Sequence, residues 1–435
     1  MLQRIVKKII VLLLTVEARL IIRKYRPKII AITGSVGKTG TKDAIYTVLR
    51  GTYSVWRSER SYNSELGVPL SILGRESGWR DPRVWTQTLF YGASLILFRH
   101  EYPSHLVLEI GVDRRGDMRR LVSWLSPDIV VLTKFPDIPP HVEFFSSPQE
   151  LHEEKWKLAK AVKDDGIIII NADDAALRNF QKRLDAVRVI TFGFSDSSDV
   201  RARDEHILFS ESNGHQIPRG LSCTIQYGNE ESSLVIQGTI ASNYIGSALA
   251  GIAVAMSLGI SLPDAVARLA GFEVPPGRSR ILSGIRGSLV IDDSYNSSPE
   301  AVSVALLGLS RIEGVQRKIA VLGDMLELGR HTLEAHRRVG EEFPQGIDSL
   351  YLVGPRAHYI AEGVAAKVLR KQKIHFYPSA QAAAIDLKKK IKKGDMVLIK
   401  GSQGIRMEKI VAEILEKPDE KGHLLVRQGV EWTRG

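Results

Sequence analysis

Lys38 and Thr39 close the run Gly34-Ser35-Val36-Gly37-Lys38-Thr39, whose residue types and spacing suit the binding of phosphate. Glycines let backbone N–H groups approach phosphate oxygens, a lysine neutralises the outer phosphates, and a threonine hydroxyl can ligate Mg²⁺. The general phosphate-loop motif has a glycine where this chain has Ile32, so the form here is shorter. Glu109 lies at the end of an apolar run, His105–Ile110. A carboxylate there can hold Mg²⁺ beside the loop, although alone it also reads as a surface acid ending a strand. His141 follows Pro136, Pro139 and Pro140 and alone reads as a loop residue.

The elements that must position these residues are legible. Lys28–Thr33 reads as a short buried strand entering the loop, and Lys42–Leu49 as a helix leaving it. Asp128–Lys134 and Gly166–Ile170 read as further buried strands. Residues 190–240 alternate polar and apolar and suggest a small β-rich section. Ser242 opens an Ala-rich helix running to about Leu258, and Pro275–Arg278 reads as a linker. Leu289–Ser294, Lys318–Leu322, Ser349–Val353 and Asp395–Ile399 are strand-like with helices between them, which implies a Rossmann-like parallel sheet.

With 435 residues the chain has room for two or three domains. Its net charge of +11 suits an anionic partner, and no aromatic-plus-basic motif points to nucleic acid. The single cysteine, Cys223, excludes a disulfide framework and reads as a packed strand residue in a reducing cytoplasm. Near the N-terminus, the apolar stretch Ile9–Val16 is too short to span a bilayer and is surrounded by Lys7, Lys8, Arg19, Arg23, Lys24 and Arg26. Two roles fit it: a helix lying on an anionic membrane surface, or a core-docking or dimerising amphipathic helix. A second apolar run, Leu89–Phe98, is expected to form a buried helix.

Four strings, in order, resemble the Mur ligase superfamily in its MurF-type branch: TGSVGKT at the phosphate loop, DDSYNSSP from Asp292, LGDMLELG from Leu322 and KGSQGIRME from Lys400. The resemblance runs from about Lys28 to about Ile414. It implies an α/β fold with a P-loop-type central ATPase domain over residues 28–274, its sheet mostly parallel, and a C-terminal Rossmann-like domain over 275–435, after a basic and apolar N-terminal helix at 1–27. The family's UDP-sugar-binding N-terminal domain has only these first residues as a counterpart. Gly40 stands where the family usually has Ser or Thr, and the family's His-Asn adenine pair is not intact around Asn243.

The resemblance also assigns roles. Gly34, Ser35, Val36, Gly37, Lys38, Thr39, Asn243, Arg278, Asp293 and Asn296 would contact ATP. Thr39, Glu109, His141 and Lys155 would serve two Mg²⁺ ions. Lys155 lies fourteen residues after His141 and would be carbamylated; Lys157 and Lys160 compete for that role, but helical spacing turns Lys157 off the face of Lys155. Lys38, His141 and Lys155 would be catalytic, and Asn63, Asp324, Lys400 and Arg406 would meet substrates. The implied activity joins D-alanyl-D-alanine to a peptidoglycan precursor in the cytoplasm; where the N-terminal helix is the membrane-surface one, residues 1–24 would hold the enzyme at the inner membrane surface. The alternatives are another carboxylate or lipid-linked acceptor, or a non-catalytic nucleotide-binding scaffold.

Overall fold

The computed structural model describes the chain except residues 1, 59–61, 79–80, 185–186, 213–214, 366–367, 369–372, 430–431 and 433–435. Met1 of the N-terminal segment and Ser61 of the segment around Asn63 therefore lie outside the described residues.

Short, nearly continuous apolar runs, buried on both faces, build the central strands of two sheets. The first holds β1 (Lys28–Thr33), β2 (Val55–Arg57), β3 (His105–Glu109), β4 (Ile129–Leu132), β5 (Ile167–Asn171), β6 (Arg188–Gly193), β7 (Val200–Ser212), β8 (His215–Tyr227) and β9 (Glu230–Gln237). Their order is β2-β3-β1-β4-β5-β6-β7-β8-β9, parallel up to β7 and antiparallel beyond it. Cys223 is buried on β8. The second sheet holds β10 (Arg280–Gly284), β11 (Ser288–Asp293), β12 (Arg317–Gly323), β13 (Ser349–Val353), β14 (Ile374–Tyr377) and β15 (Asp395–Lys400). Its order is β10-β11-β15-β12-β13-β14, with β10 alone antiparallel. Both sheets answer to the expected α/β class.

Helices cover both faces of the first sheet, as β1 requires. Ile30 and Ile32 face one core, which includes α2 (Lys38–Leu49), while Ile29 and Ala31 face the other. That second core is closed by α1 (Leu2–Tyr25), α3 (Gly67–Leu73) and α4 (Pro82–Leu97). Beyond them along the chain lie α5 (Asp117–Val122), α6 (Pro148–Trp156), α7 (Ala175–Gln181) and α8 (Asn243–Ser257), and α8 packs on α2. Ser147 caps α6 through the Glu150 N–H, and Asp174 caps α7 through the Leu177 N–H.

One expectation about the apolar segments is met and one changes. Leu14, Ala18 and Ile21 of α1 are fully buried, so this helix docks on the body. The run Leu89–Phe98 is not a buried helix. It is the second half of α4, and Phe90, Leu97 and Phe98 are 73%, 74% and 65% exposed. The physical reason is that α4 lies at the margin beside α1 and buries only the face carrying Thr88, Gly92 and Leu95.

Candidate active site

Parallel register brings the chemistry to one end of the first sheet. Ile32 of β1 pairs with Glu109 of β3, and Thr33 pairs with Leu132 of β4, so the segments leaving these strands meet at their carboxyl ends. The loop 34–37 bends tightly over β4. A side chain at Gly34 would stand 2.0 Å from the Thr133 hydroxyl, which leaves room for glycine alone. Thr133 Oγ1 donates to the Val36 carbonyl at 2.7 Å, and the Ser35 N–H donates to the Lys134 carbonyl at 2.8 Å. Gly37, at φ 86, turns the chain into α2, so the helix N-terminus starts at Lys38 itself. The free N–H groups and helix dipole of that terminus favour an anion.

The loop gathers side chains from distant parts of the sequence. Thr39 Oγ1 donates to Glu109 Oε2 at 3.0 Å, and Asn63 Nδ2 donates to Glu109 Oε1 at 3.3 Å. Lys38 Nζ donates to the Gly34 carbonyl at 2.8 Å. Lys155, on α6, is buried and donates to Ser35 Oγ at 2.6 Å. Among the described residues neither lysine has a carboxylate at ion-pair distance. Burial lowers both side chains from the ordinary lysine range, and for Lys155 the nearby Lys38 ammonium pushes further in the same direction.

His141 stands at φ 67 and reaches across to the second sheet: Nδ1 is 2.9 Å from Glu327 Oε2, and Nε2 is 3.8 Å from Asp113 Oδ1. Its hydrogen bond holds the Glu327 carboxyl below the ordinary range against the effect of burial. His141 and Lys155 line one cavity of about 1340 Å³, whose walls come from both sheets. Asn243, Arg278, Asp293, Asn296 and Lys400 line it as well. Lys400 Nζ lies 2.7 Å from Asp293 Oδ2 and donates to the Asn296 carbonyl at 3.1 Å, while the Arg278 guanidinium stacks 4.0 Å over Tyr295.

Two residues expected to meet substrate are not among those lining the cavity, though each touches one that is. Asp324 is buried beside Ser402, and its Oδ1 accepts the Arg356 and Ala357 N–H groups at 2.9 and 2.7 Å. Arg406 is engaged by Glu408 at 2.5 Å and by the Trp432 ring. Other cavity residues carried no signal in the sequence. Asp113 and Glu327 flank His141, and Lys134 pairs with Glu300. Only the fold brings these groups together. Gly40 also finds its reason here: a side chain would stand 2.8 Å from Ser247 Oγ and 3.1 Å from the Tyr244 ring, so α8 occupies the space of a Ser or Thr.

Thr39 and Glu109 supply converging hard oxygens, the donor set Mg²⁺ prefers, and thus fit one ion. No group of three His, Cys, Asp or Glu that could hold a metal occurs among the described residues, so phosphate oxygens and water would have to complete any such site.

Comparison with known proteins follows this geometry. Residues 87–251 match the Mur ligase middle domain, and residues 277–403 match the Mur ligase glutamate ligase domain. The UDP-N-acetylmuramoyl-tripeptide–D-alanyl-D-alanine ligase of Bacillus subtilis is 28% identical over 402 residues, covering 92% of this chain and 79% of that protein. The ligase of the same name from Escherichia coli is 27% identical over 398 residues, covering 89% and 77%. Among solved structures, MurF ligase from Thermotoga maritima in complex with ADP superposes with a TM-score of 0.74 at 27% identity, covering 95% of this chain and 84% of that one. MurF from Acinetobacter baumannii, at 22% identity, shares the fold with a TM-score of 0.75, covering 93% and 80%.

Proposed function

We propose that this chain, which belongs to the Mur ligase family, is an ATP-dependent ligase that adds D-alanyl-D-alanine to the peptide of a UDP-N-acetylmuramoyl-tripeptide. The observation that carries the reading is the convergence of Lys38, Thr39, Glu109 and Lys155 on one loop, in a cavity walled by both sheets.

In this reading the loop N–H groups and Lys38 hold the outer phosphates of ATP. The acceptor carboxylate attacks the γ-phosphorus, ADP leaves, and an acyl phosphate forms. The dipeptide amine then attacks the acyl carbon, loses a proton, and expels inorganic phosphate as the amide bond closes. Lys38 stabilises charge that builds on the transferring phosphoryl group. Arg278, stacked on Tyr295, and the Asp293–Lys400 pair approach the nucleotide from the second sheet. Asn63 orients Glu109 and faces the acceptor side.

Mg²⁺, when bound, offsets the crowded negative charge of phosphate and carboxylate oxygens. Thr39 and Glu109 would hold a first ion. For a second, His141 offers an imidazole, and Lys155 offers oxygen only as a carbamate. Its burial supports that assignment: lowered basicity favours the neutral amine, whose nitrogen can attack CO₂ and release a proton. We place the reaction in the cytoplasm, where ATP is available. The apolar and basic composition of residues 1–24 supports contact with the membrane surface.

The test is ADP release with UDP-N-acetylmuramoyl-tripeptide and D-alanyl-D-alanine, each also omitted in turn and replaced by other carboxylates and dipeptides. The reading expects release that needs both substrates. Release indifferent to the dipeptide would refute it.

A further inference from the structure

The α1 helix is apolar on two opposite sides, and docking explains only one. Leu14, Ala18 and Ile21 are buried against the body. Val6, Ile9, Leu13, Val16 and Leu20 are exposed and recur at spacings of three and four, which at roughly 3.6 residues per turn puts them in one outward stripe. Neighbouring α4 repeats the pattern. Phe90 and Leu97, two turns apart, face outward with Phe98 just beyond them.

The two helices are clasped side by side and run the same way. Glu17 packs at Gly92, Lys24 Nζ donates to the Leu95 and Ile96 carbonyls at 2.9 and 3.0 Å, and Tyr25 Oη donates to the Leu95 carbonyl at 2.9 Å. The outward apolar faces are thus neighbours on one surface. Contiguous exposed apolar surface of this kind marks an interaction site. Charge selects the occupant. Lys7, Lys8, Arg19 and Arg23 are exposed around the α1 stripe, whereas at the ends of α4 Arg83 and Arg99 are each flanked by an exposed acid, Asp81 and Glu101, so the positive excess lies on α1. The only acid in either helix is Glu17, which is turned toward Gly92. A second copy of the chain would set these cations against themselves, whereas an anionic lipid surface complements them. No described helix is long and apolar enough to cross a membrane.

We propose that α1 and α4 together form one face that lies in the headgroup layer of an anionic bilayer, with their outward apolar residues inserted. This deepens the membrane contact of residues 1–24 and does not depend on the ligase reaction. It also has a consequence for the acceptor. Lys8, Thr15 and Arg19, on the flank of α1, line a cleft of about 370 Å³ that shares Asn63 and Gly111 with the catalytic cavity. The acceptor side of the cavity therefore lies next to the lipid face.

Deleting residues 1–24 would uncover the core packed by Leu14, Ala18 and Ile21, so outward substitutions are the proper probe. Three variants of the full chain serve: Ile9→Asp with Leu13→Asp and Val16→Asp; Phe90→Asp with Leu97→Asp; and Lys7→Glu with Arg23→Glu, which leaves all packing intact. Co-sedimentation is measured with phosphatidylcholine vesicles, with and without phosphatidylglycerol. The wild type is expected to bind the anionic vesicles, to weaken as salt rises, and to prefer them over neutral ones. Each variant should bind roughly tenfold or more weakly. Unchanged binding by the α4 variant would overturn the two-helix face while sparing residues 1–24. Unchanged binding by the α1 variants would overturn both. A lipid-free dimer that the α1 substitutions dissolve would assign the face to a second copy and also overturn the proposal. ADP release without lipid, measured on every variant, reports separately on folding and on the ligase reaction.

Discussion

Two sets of charged side chains around the catalytic cavity are balanced in opposite ways. On the second sheet Lys400 and Asp293 answer one another in the cavity wall, and behind it Glu408 takes both Arg427 and Arg406. On the first sheet, Lys38 and Lys155 meet only a carbonyl and a hydroxyl at hydrogen-bond distance; burial lowers both, and the Lys38 ammonium lowers Lys155 further. Neutralised charge preorganises a surface, whereas uncompensated charge marks where a ligand must bring its own. The difference supports the proposed phosphate chemistry at Lys38 and Lys155 and a bracing role for the cluster around Glu408.

Removing charge from each set should therefore have opposite signatures. Lys38→Ala should lower ADP turnover by about 10³-fold, within the range of lost transition-state stabilisation, with no loss in thermal stability. Steady-state kinetics and a melting curve check both. Lys155→Ala should cost about 10²-fold in turnover, and short-chain carboxylates should restore part of it by filling the vacated oxygen-ligand position. Its melting temperature should hold or rise, because a buried amine without a counter-charge is removed. A silent variant with no rescue would place Lys155 among ordinary structural lysines.

On the second sheet the loss should fall on stability. Burial works to raise the Glu408 carboxyl, yet hydrogen bonds from Arg427 and Arg406 hold it below the ordinary range. Glu408→Gln leaves those guanidinium groups short of their partner and should cost roughly 1–3 kcal/mol in denaturant unfolding. Turnover per folded molecule should change far less than in Lys38→Ala. Equal losses of turnover in the two variants would erase the contrast between the two sets.

The smallest effect is expected far from the cavity, at Glu17. Its Oε2 is buried without a hydrogen-bond partner, and desolvation raises the carboxyl from 4.5 to about 7. Over that window the folded state holds a proton that the unfolded chain has released. The stability contribution is thus complete below about pH 4.5 and is lost as pH rises to about 7. Glu17→Gln cannot ionise, so it should be more stable than the wild type at about pH 8 and equal to it at about pH 4. The side chain is partly exposed, so the gain should stay below about 1 kcal/mol.

What the sequence disclosed depends on how local each feature is. The phosphate loop was legible because glycine, lysine and threonine sit within six residues, between a strand and a helix whose apolar patterns are unmistakable. The central strands of both sheets were legible from the same short apolar runs, whereas the edge strands β2, β10 and β14 were not. Contacts made through the fold were not: nothing at His141 points to Glu327, and nothing at Lys155 points to Ser35. Asp324 and Arg406 lie in the strings most typical of the family, yet their side chains brace the chain rather than face the cavity. A family string records what a segment must be without saying whether it binds or supports. The run Leu89–Phe98 misled for a related reason. Apolarity says that a face seeks a nonaqueous neighbour, but not that the neighbour belongs to the same chain.

The central claim is that ATP activates the acceptor carboxylate itself. Labelling both oxygens of that carboxylate with ¹⁸O and analysing the released phosphate by mass spectrometry tests it directly. Amine attack on an acyl phosphate must leave one carboxylate oxygen on phosphorus, so each turnover should yield inorganic phosphate carrying one ¹⁸O. Unlabelled phosphate accompanying ADP release would show that water, not the carboxylate, takes the phosphoryl group, and would contradict the account.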